Sequence, residues 1–273
     1  MKIFVINLKR SVERKKLFIK NWNPIIDKLS FCEAIDGSLL SEEELSSIVL
    51  NYPGLKLTKG EIGCALSHLM IYKRMVKEQI PIALILEDDA ILKIGFEPFK
   101  NLLHKIEQKK SIPSQSVLFL QNCAETPLNG KKVSVQITKE LRIEEVRAAW
   151  LSHGYVITLE AAQKLINFLL PIRYEADCWE AFRIGTDIKL LATIPPVILS
   201  SDPSFQTSTL HEERLLLVQE RKEIRSKQLK REIELSQLRT QFKLFPINRF
   251  IKRNKFFPLN RFLRKYKESL KKY

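Results

Sequence analysis

The segment Pro81–Leu92 reads PIALILEDDAIL: five uninterrupted apolar residues, Ile82 to Leu86, run into Glu87, Asp88 and Asp89, and apolar residues resume at Ala90. A short, Ile-rich run behind a proline predicts a central β-strand buried on both faces. Its acids then lie at the carboxyl end, where open α/β sheets bind ligands. Glu87 and Asp89, two apart on an extended chain, project to the same side. Two carboxylates there suit a hard divalent cation, Mg or Mn, whose shell is completed by water and substrate phosphates. The alternative is a polar turn that closes a core strand.

Upstream, Lys2 to Leu8 alternates and predicts a first strand, and Ser11 is placed to cap a helix carrying Arg14, Lys15 and Lys16. This is a plausible nucleotide-binding opening, although the glycine-rich phosphate loop is missing. Leu29 to Ile35 predicts a second strand ending at Asp36-Gly37, where an aspartate either binds a ribose or base edge or simply makes a turn. Ser41 to Leu50 predicts a helix, broken at Tyr52-Pro53-Gly54. Thr58 and Glu61 have capping-box spacing at the start of another, whose Ile62, Ala65, Leu66, Leu69, Met70 and Met75 recur at helical period. His68, inside that helix, reads as a packing residue before a catalyst.

Downstream come a helix over Pro98–Gln108, a strand at Val117–Leu120, a hairpin near Asn129-Gly130, a strand at Ser152–Thr158, an amphipathic helix over Glu160–Leu170 and a short strand at Ile194–Leu199. Between the last two, Tyr174 to Gly185 holds Asp177, Trp179, Glu180 and Arg183. That cluster is either a sugar platform, with a ring for the apolar sugar face and acids for hydroxyl protons, or a helix with a core-facing tryptophan.

The chain has 273 residues, 45% apolar, with a net charge of +15. Residues 1–210 hold 27 Lys+Arg against 24 Asp+Glu, whereas residues 211–273 hold 19 against 7. Basicity is therefore a property of the tail, and two units are expected: an α/β domain over 1–210 and a basic helical extension over 211–273. Glu212 to Phe242 lacks Pro and Gly and predicts a helix, whose apolar stripe (Leu217, Ile224, Leu235, Leu238, Phe242) is too interrupted for a coiled coil. Beyond it FPINRFIKR from Phe245 is echoed by FPLNRFLRK from Phe257. Apolar positions flanked by Arg and Lys make the pattern of an interfacial helix on anionic lipid. Packing on the body or on a second subunit, as a homodimer, is the alternative. Nucleic acid is disfavoured because no recognised binding module accompanies the charge.

Cys32, Cys64, Cys123 and Cys178 form no C-x-x-C pair, so neither a zinc site nor a disulfide framework is expected, and reduced thiols in a cytosolic protein are the simplest reading. With no export signal and no apolar window long enough to span a bilayer, the expectation is a cytoplasmic protein, peripheral on the inner face of the membrane.

Taken in order, VINLKRSVERK, AIDG, GEIGCALSH, LILEDDAIL and HGYVIT resemble glycosyltransferase family 25, the bacterial lipooligosaccharide galactosyl- and glucosyltransferases, over roughly residues 1–205. The resemblance implies a GT-A-like Rossmann-type fold, a UDP-galactose or UDP-glucose donor, a lipooligosaccharide acceptor, a divalent cation and inversion at the anomeric carbon. It places the metal–diphosphate site at Glu87, Asp88 and Asp89, with Asp89 the leading metal ligand and Glu87 beside it. Asn7, Leu8, Arg14 and Asp36 fall by the nucleotide. Asp177 takes the part of base or acceptor-binding acid, with Glu180 second, and His211 matches a histidine that some relatives keep as a further metal ligand. Such a reaction needs a carboxylate to take the acceptor proton and positive charge to stabilise the leaving diphosphate. The rival readings are a metal-dependent phosphohydrolase and a non-catalytic basic scaffold.

Overall fold

In the computed structural model, which describes residues 1–108, 112–122, 135–201 and 211–241, the acidic stretch forms a strand with four buried inner residues. The described elements are β1 (Lys2–Asn7), α1 (Val12–Trp22), β2 (Leu29–Glu33), α2 (Glu42–Ile48), α3 (Lys59–Glu78), β3 (Ile82–Glu87), β4 (Ala90–Leu92), α4 (Phe96–Gln108) and β5 (Ser116–Phe119). They continue with β6 (Val135–Gln136), β7 (Arg142–Glu145), β8 (Gly154–Thr158), α5 (Leu159–Leu169), α6 (Trp179–Thr186), β9 (Lys189–Ile194), β10 (Ile198–Ser200) and α7 (His211–Gln241).

An eight-stranded sheet in the order β2-β1-β3-β8-β5-β9-β7-β6 divides two apolar layers. Phe4, Ile6, Ala83 and Ile85 belong to one layer, and Ile3, Val5, Leu84 and Leu86 to the other. Both faces of β1 and β3 are covered, so their apolar runs are continuous and not alternating. Six strands point one way, and β8 and β7 run against them. The expected α/β class is present, as a mixed sheet consistent with a Rossmann-like fold.

Several local expectations change. Ser11 makes no side-chain cap on α1. The single strand expected at Ile194–Leu199 is two: β9 ends at Ile194, and after Pro195-Pro196 β10 leaves the main sheet to pair antiparallel with β4, Ser200 opposite Ala90. Two prolines cannot donate to a ladder, so the chain switches sheets there. The hairpin near Asn129-Gly130 and the repeat from Phe245 lie outside the described residues.

Two features hold the cavity-forming loops. The capping box of α3 is present, with Glu61 N–H donating to Thr58 Oγ1 at 3.2 Å and Thr58 N–H to Glu61 Oε2 at 3.0 Å. One turn on, Gly63 lies so close to the AIDG loop that a Cβ would stand 2.5 Å from the Ile35 carbonyl oxygen and 2.6 Å from the Gly37 nitrogen. The helix expected over 212–242 is α7, and in the structure it lies on the body. Its Arg221 is buried against Glu61 of α3 and Glu175, Arg225 also pairs with Glu175, and Tyr174 O–H donates to Glu232 at 3.3 Å.

Candidate active site

The carboxyl ends of β1 and β3 are neighbours, Ile6 standing opposite Glu87, and both open on a cavity of about 280 Å³. Leu8, Arg14, Asp36, Glu87, Asp88, Asp89 and Asp177 all line it. Residues read as separate words of the sequence thus meet in one place.

Each acid of the triplet has its own support. Asp88 accepts from Asn7 Nδ2 at 2.6 Å and is paired with Arg14 Nη2 at 2.6 Å. Asn7 therefore acts through Asp88, while Arg14 also reaches the cavity wall. Glu87 Oε1 is 3.3 Å from His68 Nε2, whose Nδ1 is 2.8 Å from the Tyr155 hydroxyl. Asp89 Oδ2 accepts from Ser200 O–H at 2.8 Å, and its carbonyl from Ser201 N–H at 2.8 Å. The sheet switch after Pro196 is what delivers Ser200 to it.

Electrostatics separate the three. Burial pushes Glu87 up, but the His68 hydrogen bond and the charges of His68, His153 and Arg14 outweigh it and hold the group low. Burial dominates at Asp88 and pushes it up to about 6 against Arg14 and Asn7. Asp89 is raised by burial and then by repulsion from Glu87. Burial also depresses His153, against the pull of Asp89 and Glu87.

Three buried side-chain atoms have no hydrogen-bond partner among the described residues, and two of them, Asp89 Oδ1 and His153 Nε2, belong to residues that line this cavity, the third being Arg173 Nε. Buried polar atoms are nearly always satisfied. A carboxylate oxygen and an imidazole nitrogen, each without a partner and both in residues that line one cavity with Glu87, are donors of the kind a divalent cation takes up. In donor chemistry these residues fit a divalent cation. His153 escaped the sequence reading although HGYVIT was recognised. It precedes β8, and only the antiparallel pairing of β8 with β3, Gly154 opposite Leu86, brings it to the acidic end.

The other expected residues fall as follows. Asp36 lines the cavity, paired with Arg10 at 2.9 Å and accepting from Ser38 N–H at 3.1 Å. Glu180, on the first turn of α6, is 3.6 Å from Arg147 Nε and is not among the lining residues. His211 opens α7, and its side chain lies outside the described residues. Trp179 is fully buried, donating its indole N–H to the Leu151 carbonyl at 3.0 Å, so it is the core residue of the two readings and offers no stacking platform. Glu175, lining the cavity two residues before Asp177 and tied to Arg221, was not foreseen.

An acidic strand end with an arginine beside it lies at the carboxyl edge of a mixed α/β sheet, the edge at which open sheets of this kind bind their ligands. The family model described as "Glycosyltransferase family 25 (LPS biosynthesis protein)" matches residues 1–179, and the chain belongs to this family. It is similar to human procollagen galactosyltransferase 2, 28% identical over 174 residues, covering 60% of this chain and 27% of that protein. A Drosophila melanogaster protein named glycosyltransferase 25 family member is 32% identical over 183 residues, covering 60% of this chain and 27% of that protein. Its Anopheles gambiae namesake is 30% identical over 190 residues, covering 62% and 30%. The chain thus spans less than a third of the length of these relatives.

Proposed function

We propose that this glycosyltransferase moves a hexose from a UDP-sugar, with inversion, to a sugar hydroxyl of a lipooligosaccharide. The observation that carries the donor site is the pair of orphaned atoms, Asp89 Oδ1 and His153 Nε2, beside Arg14 in one cavity. Asp89, Glu87 and His153 would hold a divalent cation, which when bound supplies positive charge against the donor diphosphate. Arg14, fixed by Asp88, adds cationic charge for the same diphosphate, and Asp36 lies at the nucleotide end. Asp177 lines the same cavity and takes the proton of the acceptor hydroxyl as its oxygen bonds to the anomeric carbon. The bond from that carbon to the diphosphate oxygen breaks on the opposite face, and UDP leaves with the electron pair. Galactose is supported as the sugar by the names of the procollagen galactosyltransferase relatives, and the lipooligosaccharide acceptor by the description of the family as LPS biosynthesis proteins.

Among the described residues no helix is long and apolar enough to cross a membrane. The basic repeat from Phe245 is assigned to anionic lipid at the cytoplasmic face, where a lipid-linked acceptor would be met.

Calorimetric titration with UDP, UDP-galactose and UDP-glucose, with and without manganese, tests the donor site. Manganese-dependent binding of a UDP-sugar that Asp89→Ala removes is the expected result. Absence of binding under every condition overturns the reading in favour of a non-catalytic scaffold.

A further inference from the structure

Cys64 and His68 stand four residues apart on α3, one helical turn, and so present their side chains on one face. Both are directed at the end of β3. A Cys64 sulfur, a His68 nitrogen and a Glu87 oxygen all lie within 4.8 Å of one another, and Cys64 and Glu87 line the cavity. The His68 Nε2 to Glu87 Oε1 separation is 3.3 Å. Tetrahedral coordination with bonds of about 2.0–2.3 Å sets ligand atoms roughly 3.3–3.7 Å apart, so the nitrogen–oxygen edge already has that length. The sulfur has at most about an ångström to close, within reach of a side-chain rotation.

The remote nitrogen of His68 is also anchored. Nδ1 is 2.8 Å from the Tyr155 hydroxyl, which is 2.7 Å from the Tyr72 hydroxyl, all three groups being buried. A ligating histidine characteristically has its other ring nitrogen fixed in this manner, which sets ring orientation and tautomer.

We propose that Cys64, His68 and Glu87 form a site for a thiophilic divalent ion of the zinc class. Sulfur in the donor set selects zinc or cobalt over magnesium, whereas Asp89 and His153 offer no sulfur. Binding releases the Cys64 thiol proton to solvent, and His68 binds as the neutral imidazole through Nε2, carrying its hydrogen on Nδ1 toward Tyr155. Three protein ligands leave a fourth position for water or an anionic substrate group. Cysteine spacing gave no hint of this, because the partners of Cys64 are a histidine one turn away and an acid on another element.

The test is titration of the chelator-treated full chain with cobalt(II) alone, followed by near-ultraviolet absorption. A thiolate-to-cobalt charge-transfer band is expected in the wild type and in Cys32→Ser, lost in Cys64→Ser and displaced by zinc. No band in the wild type, or one that Cys64→Ser leaves unchanged, overturns the site. Should Cys64→Ser fold poorly, alkylation of the wild type mapped by peptide mass decides: zinc must slow labelling of Cys64 and not of Cys32, and equal slowing or none refutes the proposal. Glu87 is common to this site and the donor site, but no sugar nucleotide enters either measurement and both read Cys64, so the two proposals are tested separately.

Discussion

Arg221 Nη2 lies 2.8 Å from Glu61 Oε1, with 7% of the arginine side chain and none of the glutamate side chain exposed to solvent. Glu61 closes the capping box of α3 and Glu175 lines the cavity wall near Asp177, so one guanidinium from α7 holds both. Removing one partner of a buried ion pair leaves the other charge uncompensated, at about 3–5 kcal/mol. Arg221→Ala should therefore lower unfolding stability by about 3 kcal/mol in a urea titration, Arg225 still serving Glu175. A loss below about 1 kcal/mol, the range of surface pairs, would show that the contact is not buried in solution.

His153→Gln separates a ligand from a packing residue. His153 Nε2 has no hydrogen-bond partner among the described residues to lose, so the variant should melt close to the wild type. Its manganese affinity, read by calorimetry, should fall roughly tenfold or more, as expected for a change at a metal site. Unchanged affinity would leave Asp89 and Glu87 to hold the cation alone.

Asp177→Asn keeps shape and removes the carboxylate proposed as the base. Donor binding should be preserved while kcat falls about a hundredfold or more, the usual contribution of a positioned general base. An unaltered kcat would move the proton to another group, with Glu180 the first to test.

The raised Asp88 carboxyl predicts the sign of a pH effect in the metal-free protein. Its folded value of about 6 exceeds the usual 3.8. The unfolded chain therefore loses this proton first, and stability present below about pH 4 is lost as pH rises through about 6. The shift bounds the loss at about 3 kcal/mol. His153, held low, gives the opposite slope, so the comparison must be made with Asp88→Asn. The variant should gain on the wild type between pH 4.5 and pH 7, and parallel stability curves would refute the assignment.

Gly63→Ala places a methyl group within 2.5 Å of the Ile35 carbonyl oxygen. Backbone cannot yield as a flexible side chain does, so a loss of about 1–3 kcal/mol is expected by thermal melting, with weakened binding at the adjacent Asp36. A neutral substitution would mean that the loop is not seated on α3.

What the sequence revealed depended on whether the information was local. The apolar run of β3 and the Thr58–Glu61 capping box both lie in short stretches whose period or spacing is enough to read them. His153 and Ser200 were invisible for the opposite reason. Each reaches the acids through an antiparallel pairing, β8 on β3 and β10 on β4, and nothing in a single sequence specifies those registers. Trp179 shows the same limit, since a tryptophan among acids reads equally as platform or core until its neighbours are known. The docking of α7 rests on an arginine no different in sequence from the many around it.

The pairing of β4 with β10 has a consequence for how the chain matures. Asp89 receives its hydroxyl donor from Ser200, and Glu61 its counter-ion from Arg221, partners 111 and 160 residues away. Contacts of such separation close late. A nascent chain that has reached only residue 179, where the family match stops, already contains β1 and β3 with the acids at their carboxyl edge, yet those acids still lack these two partners. The acidic edge is thus written early in the chain and receives these partners only from its final third.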